Sequence, residues 1–335
     1  MELAPRPCLS LVVTARHDNY GGPYRNRILA PLRFNCAQLA AHEIAFEVIV
    51  VEWDPVPGRP TLSELLRRDL GDLAPEVLRR TIVAREYQQA LTQNPHAGYL
   101  EYIAKNVGIR RAAAPFVLVS NVDVLLGRDV LRSIADGGLR AGTIYRAPRF
   151  DLKVGFDPTG LAWAAIEDAA NHERSPTLQP PLFSGGAGDF LLADRETFDS
   201  LRGFNEVYRA ARSGIDLNFL VKAYSSGVPI VDIGGPVYHL NHVGSMRISK
   251  TLHENDGTTT PWGNIRWHAR HVIYDNPDNW GLRDAPTRTT ADGVSVLEFD
   301  WSAVPPLVEL RRITLPGRAA VAIDAYASDD VRHHG

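Results

Sequence analysis

Asn121, Val122 and Asp123 stand directly after a strongly apolar run, Phe116 to Val119. A carboxylate at the end of a buried strand, with an amide oxygen two residues before it, can face a divalent cation and the phosphates it neutralises. The same residues also suit a plain strand-end turn, since Asn and Asp both favour turns. A second acidic group, Glu52 and Asp54 around Trp53, closes another apolar run, Phe46 to Val51. Late in the chain His239 follows a strand and precedes His242 by three residues, a spacing that can bring two imidazoles to one turn.

The elements that must hold these residues alternate. Leu9 to Ala15 is a continuous apolar, β-branched run, the pattern of a strand buried on both faces. Residues 25 to 45 carry helical spacing and lead into Phe46 to Val51, so the chain opens as strand, helix, strand. Helical spacing recurs over 62 to 73 and 99 to 113, a short strand is expected over 81 to 84, and Phe116 to Val119 is the next buried strand. This alternation predicts a mostly parallel sheet, whose ligands sit outside the carboxyl ends of its strands. Further on, strands are expected over 143 to 147, 190 to 193 and 228 to 233, and helices over 161 to 172, 194 to 201 and 215 to 225. Late strands are expected over 297 to 299 and 307 to 315.

Taken in order, these features resemble the GT-A glycosyltransferases, in particular the family 2-like enzymes, over roughly residues 8 to 245. Leu9 to Asn19 looks like their opening nucleotide-binding strand, and Val48 to Asp54 like their second strand with its acidic end. Lys105, Asn106, Gly108, Ile109 and Ala112 match the helix before the metal motif, and Phe116 to Asp123 looks like the strand carrying Asp-x-Asp. Gly185 to Glu206 is similar to the Gly-rich strand and the Gly-Gly-Phe-Asp-Glu turn. Ile215 to Asn218, with Lys222 and Gly227 downstream, occupies the register of Glu-Asp-x-Asp, a basic residue and Gly.

The resemblance implies a fold class, α/β with a GT-A (Rossmann-like), mostly parallel central sheet flanked by helices, and a C-terminal appendage. Residues 1–245 would form the catalytic domain, and 246–335 an appendage or lid packing on it. It also implies the activity: a glycosyltransferase, hexosyltransferase-like, moving a sugar from a nucleotide-diphosphate sugar to an acceptor hydroxyl with inversion and a divalent metal, Mn or Mg. Asp216 falls where these enzymes keep the catalytic carboxylate. Asp123 would bind the cation, with His239 as a further ligand ahead of His242. Thr14, Ala15, Arg16, Asp54 and its equal rival Glu52 would line the nucleotide pocket, beside Asn121 and Asp123. Asp189 would meet the sugar or acceptor, and Trp163 would either stack on a sugar or sit in the core. Three positions depart from the pattern by losing charge: Asn121 and Asn218 replace Asp, and Ile215 replaces Glu. The rival classes are a sugar nucleotidyltransferase and an inactive nucleotide-sugar-binding protein on the same fold.

Composition bounds the rest. The 335 residues carry 36 Lys plus Arg against 39 Asp plus Glu, a formal charge of -3, which argues against a general nucleic-acid binder. Two cysteines cannot make a disulfide scaffold or a four-cysteine zinc site. Met1 to Pro7 carries Glu, Arg and two Pro where a secretory signal would be apolar, and no apolar run reaches transmembrane length. A cytoplasmic protein is expected, soluble or peripheral to the inner membrane face, with a glycan, glycolipid or small-molecule acceptor. Residues 253 to 293, rich in Asn, Asp, Gly, Thr and Trp, are expected to cover the acceptor side or to build a homodimer contact.

Overall fold

The computed structural model describes residues 7–92, 98–174, 178–207, 209, 214–242, 272–304 and 311–312. β1 (Leu9–Ala15) is buried along its whole length. A π-helical turn, Arg25–Leu29, leads into α1 (Ala30–Ala41), which stops short of the expected end where Glu43 takes a φ of 55°. β2 (Phe46–Trp53), α2 (Leu62–Asp69), β3 (Leu78–Val83), α3 (Arg85–Leu91), α4 (Glu101–Arg110) and β4 (Phe116–Ser120) follow. Side chains alternate across the strands, so one sheet serves two cores. Leu9, Leu11 and Val13 pack with Leu32 and Leu39 of α1, whereas Val12 packs with Ile103 and Val107 of α4. Gly108 lets α4 approach closely: a Cβ there would lie 2.4 Å from Val12 Cγ1.

The chain then leaves the first sheet through β5 (Val124–Leu126), α5 (Arg128–Ala135), β6 (Ile144–Arg146), β7 (Arg149–Leu152), α6 (Trp163–Ile166) and β8 (His172–Arg174). It returns through β9 (Phe190–Asp194), α7 (Arg195–Ser200), α8 (Ile215–Ser225), β10 (Ile230–Asp232) and β11 (Val237–Leu240). Two-residue β12 (Val272–Ile273) and β15 (Arg311–Arg312) pair with each other, and β13 (Thr287–Thr289) pairs with β14 (Ser295–Leu297). Among the described residues the central sheet has nine strands in the order β10-β6-β9-β4-β1-β2-β3-β14-β13. Its pairings are parallel except those of β9 with β4 and β6 and of β13 with β14. The fold is therefore mixed α/β with a large, mostly parallel, helix-flanked central sheet, as expected.

A four-stranded sheet, β5-β11-β7-β8, abuts the first and matters most for the chemistry. Its register sets His239 against Val124 on one side and against Asp151 on the other. Asp123 is the last of the three residues between β4 and β5, where the chain crosses from one sheet to the other.

Three expectations need correction or restriction. The helix expected over 161–172 breaks into α6, a 3-10 turn at Ala169–Asn171 and β8, because Asp168 caps the turn through Ala170 N and His172–Arg174 is drawn into pairing with β7. Residues 243–271 of the expected lid lie outside the described residues, while Val272, Tyr274, Asn276, Trp280 and Leu282 are buried. The stretch after them extends the central sheet, since β14 pairs in parallel with β3. Of the late strand expected over 307–315, only β15 lies within the described residues. Among those residues no helix is long and apolar enough to cross a membrane.

Candidate active site

Asp123, His239 and His242 converge where the two sheets meet. One ligand atom from each lies within 4.8 Å of the others. Both imidazoles direct Nε2 at Asp123 Oδ2, each from 3.6 Å. His239 Nδ1 is held by Asp151 Oδ1 at 2.9 Å, the carboxylate–histidine pairing that orients an imidazole and leaves its other nitrogen for a ligand. Burial disfavours a charged His239, yet the Asp123 charge and the hydrogen bonds to Asp123 and Asp151 outweigh it and raise its pKa to about 9. Burial also opposes ionisation of Asp123, but Arg27, His239 and His242 hold its carboxyl far below the usual carboxylate range. The Arg27 Nε donates to Asp123 Oδ2 at 3.1 Å, and its guanidinium lies 4.5 Å over the Tyr20 ring. Tyr20 in turn meets His242 edge-on at 5.1 Å.

This donor set fits a divalent cation. Asp123 is 2% exposed and its Oδ1 accepts no hydrogen bond among the described residues, so one buried carboxylate oxygen is left for a positive partner. From the sequence His239 is expected as a ligand ahead of His242; the geometry brings both rings to the same oxygen.

A polar chain runs from this cluster across the Gly-rich loop. Arg149 bridges Asp151 at 3.0 Å and Asp189 at 2.5 Å. Asp189 Oδ1 accepts from Asn121 Nδ2 at 2.7 Å, and Asn121 Oδ1 accepts from Lys105 Nζ at 2.7 Å. Asn121 thus has both ends of its amide engaged and joins Asp189 to Lys105. An Asp there could not donate to Asp189, which accounts for the first departure from the family pattern.

Asp216 lies in the first turn of α8, after Gly214 has turned the chain with a φ of 85°. It stands close to Gly188: a Cβ on that glycine would lie 3.5 Å from Asp216 Oδ2. A helix N-terminus favours an ionised carboxylate, but here burial is the larger effect. The Asp216 pKa is raised, with the Leu217 N–H, Lys105 and Arg146 pulling it down and Asp189 adding to the rise. The other two departures serve packing. Ile215 is buried in the core, and Asn218 donates from Nδ2 to Val272 O at 2.7 Å while accepting from Asn205. Lys222 ties α8 to Leu201 O and to Tyr274 O and pairs with Asp275 at 3.4 Å.

At the carboxyl ends of β1 and β2, Thr14 and Ala15 are 7% exposed each. Arg16 Nη1 bridges Asp54 Oδ2 at 3.0 Å and the Gly98 carbonyl at 2.7 Å, and its Nε meets Asp18 at 3.1 Å. Asp54 takes a φ of 51°, which turns its carboxylate toward Arg16 and, at 3.8 Å, Arg85. Glu52 makes different contacts. Its two oxygens accept the Leu62 and Ser63 N–H groups at 2.7 and 3.1 Å, so it satisfies the N-terminus of α2 and is only 2% exposed. Trp163 belongs to packing as well: it meets Phe34 edge-on at 5.1 Å and donates to Gln38 at 3.2 Å.

Sequence reasoning missed Arg27, Arg149 and Asp151. Nothing local marks them, for each reaches the site through a contact far along the chain. Lys105 had a local signal in its spacing of four from Glu101, which it meets at 2.7 Å.

No family model matches the chain, and no curated protein matches it. Among solved structures it is similar to the catalytic domain of Drosophila beta1,4-galactosyltransferase 7 in complex with xylobiose, at 12% identity and a TM-score of 0.39, covering 92% of this chain and 94% of that one. It is similar to GalNAc-T7 with UDP, GalNAc and Mn2+, at 10% identity and a TM-score of 0.43, covering 71% of this chain and 44% of that one. It is also similar to the inositol-1-phosphate CTP transferase from T. maritima, at 11% identity and a TM-score of 0.37, covering 76% of this chain and 99% of that one.

Proposed function

We propose that this chain is a metal-dependent, inverting glycosyltransferase that moves a hexosyl group from a nucleotide-diphosphate sugar to an acceptor hydroxyl on a glycan, glycolipid or small molecule. The observation that carries the reading is the Asp123, His239 and His242 cluster at the carboxyl edge of the sheet, with one buried Asp123 oxygen left without a hydrogen bond among the described residues. Asp123, His239 and His242 would hold Mn or Mg, and two imidazoles favour Mn of the pair. A cation bound there supplies positive charge for the departing diphosphate.

The chain's own residues do the rest. Arg27, fixed against Asp123, adds a second positive group on the diphosphate side. Arg16 and Asp54, locked together, offer donors and an acceptor to the nucleoside, beside the Thr14 and Ala15 backbone. Asp189, pinned by Arg149 and Asn121, meets a sugar or acceptor hydroxyl. Asp216 takes the acceptor proton as that oxygen attacks the anomeric carbon from the side opposite the diphosphate, which inverts the centre. Its raised pKa supports this role, because a base closer to neutrality accepts a proton more readily than an ordinary carboxylate.

The test is a screen of UDP, GDP and dTDP sugars for hydrolysis with and without Mn or Mg. Metal-dependent release of a nucleoside diphosphate from one of them is expected. Consumption of nucleoside triphosphate with a sugar phosphate would reassign the chain as a nucleotidyltransferase, and binding without turnover would make it an inactive nucleotide-sugar-binding protein.

A further inference from the structure

Behind the Gly-rich loop lie two buried cations that the reaction as drawn does not use. Arg146 is 0% exposed and gives Nε to Phe183 O at 3.0 Å, Nη1 to Ala187 O at 3.2 Å and Nη2 to Gly185 O at 3.0 Å. Lys105, also 0% exposed, gives Nζ to Glu101 Oε1 at 2.7 Å, Asn121 Oδ1 at 2.7 Å and Gly188 O at 3.0 Å. An ammonium has three protons, and all three are engaged within the protein. Lys105 therefore has no donor to spare for a substrate, and its place must be explained through its neighbours.

Gly188 is the neighbour that matters. A Cβ on it would lie 2.8 Å from Tyr102 Oη, 3.5 Å from Asp216 Oδ2 and 3.8 Å from Lys105 Nζ. Lys105 and Asp216 thus flank one glycine, with the Tyr102 hydroxyl beside them. In a buried setting charges so placed are weakly screened. The same ammonium grips Asn121, whose amide holds Asp189 on the other side of the site.

We propose that Lys105 is a positioning residue: its ammonium holds the Asn121–Asp189 arm and the Gly188 carbonyl, and from beside Gly188 its charge acts on the Asp216 base. This rests on the reading of Asp216 as the base. Among the described residues the charged and titratable groups around Asp216 include Lys105 and Tyr102 from α4, Arg146 from β6, and Asp189 at the entrance to β9, with the Leu217 N–H from its own helix. Lys105 and Arg146 act against burial there, and Asp189 acts with it. Arg146 also shapes the loop through three carbonyls, so its removal would confound charge with fold; Lys105 can be neutralised more cleanly.

The experiment is a carboxyl-carbon NMR titration of the protein labelled at aspartate, with the Asp216 signal identified by its loss in Asp216→Asn. Lys105→Met removes charge and contacts together, whereas Lys105→Gln removes the charge but keeps an amide to reach Asn121 and Gly188. In both, the Asp216 midpoint should rise by about one pH unit, and in Lys105→Arg it should stay near the parent value. In an acceptor assay the acidic limb of kcat should move up by the same amount. A folded Lys105→Gln whose Asp216 titrates as in the parent would overturn the proposal. So would failure of both neutral variants to fold, which would make Lys105 a prop for the sheet edge. The NMR arm needs no turnover. Absence of transfer from every donor sugar would therefore sink the proposed activity while the midpoints still decide the role of Lys105.

Discussion

Two carboxylates at the sheet's carboxyl edge meet opposite fates. Asp123, at the crossing between the sheets, is buried, but Arg27, His239 and His242 press on it and keep it ionised far down the pH scale. Asp216, at the start of α8, is pushed up by burial, and Lys105 and Arg146 only partly offset this. The surroundings follow suit. Asp151, behind His239, is held low despite its burial by His239 and Arg149, whereas Glu206, in the turn before α8, is pushed up by burial to about 7. Paired acids whose environments drive their proton affinities apart take different jobs. A carboxylate that stays charged suits a cation, and one that can accept a proton suits a base.

The largest effect should come from the base end. Asp216→Asn should stay folded, keep donor binding and lose roughly 10²- to 10⁴-fold in acceptor turnover. In the parent, kcat should fall as pH drops through the raised Asp216 pKa, and this acidic limb should vanish in the residual activity of the variant. Transfer within a few-fold of the parent rate would leave Asp216 as a helix-terminal residue worth only about 1 kcal/mol of stability. Capping and catalysis are that far apart in magnitude.

At the cation end, Asp123→Ala should weaken Mn binding by about 100-fold or more, and Asp151→Asn by about 10- to 100-fold through loss of His239 orientation. Electron paramagnetic resonance of free Mn reads both without any substrate. Equal Mn affinity in parent and Asp123→Ala would remove the cluster from consideration. Asn121→Asp should do far less, because the added oxygen would face Asp189 at the 2.7 Å position now filled by a donor. It should leave Mn affinity within about threefold and cost about 1–3 kcal/mol of stability, the usual penalty for spoiling a buried hydrogen bond. A tenfold gain in Mn affinity would mean that Asn121 faces the cation after all.

These two ends were not equally legible in the sequence. Leu9–Ala15 and Ile215–Ser225 were readable residue for residue, the first because a strand covered on both faces is a continuous apolar run, the second because its apolar spacing is undisturbed. Asp123 was readable because it closes such a run. The support of the cation end was not, because His239 meets Asp151 across 88 residues of chain and only the register of the small sheet brings them together. The choice between Glu52 and Asp54 also escaped a local reading. Thr61 and Glu64 form a capping box that announces the start of α2, but nothing nearby says that Glu52, ten residues back, takes the Leu62 N–H. Residues 161–172 misled for a similar reason: their helical spacing lost to a strand partner in β7.

An effect on stability alone, which sharpens the contrast with neither substrate nor cation, concerns Glu206. It is 1% exposed, its Oε1 accepts from Asn106 Nδ2 at 2.9 Å and from Gly281 N at 2.8 Å, and its Oε2 has no hydrogen bond among the described residues. Burial raises its pKa from 4.5 to about 7, against the pull of Asn106, Gly281, Arg209 and Arg110. A folded pKa above the unfolded one means that stability from this group is fully present below the unfolded value, declines as pH rises, and is lost once pH passes the folded value. The acids held low at the cation end, Asp123 and Asp151, have the opposite sign: their contribution is present above the unfolded pKa and is lost as pH falls. Glu206→Gln keeps an oxygen for Asn106 and Gly281 and does not titrate. At about 1.4 kcal/mol per pH unit, it should be more stable than the parent by up to about 3 kcal/mol at pH 8 and nearly equal to it at pH 4.5. Thermal unfolding at the two pH values, in chelator so that no cation contributes, reads the difference. A variant no more stable than the parent at pH 8 would mean that Glu206 is ionised without penalty, and the raised acids of the base end would then reduce to Asp216 alone.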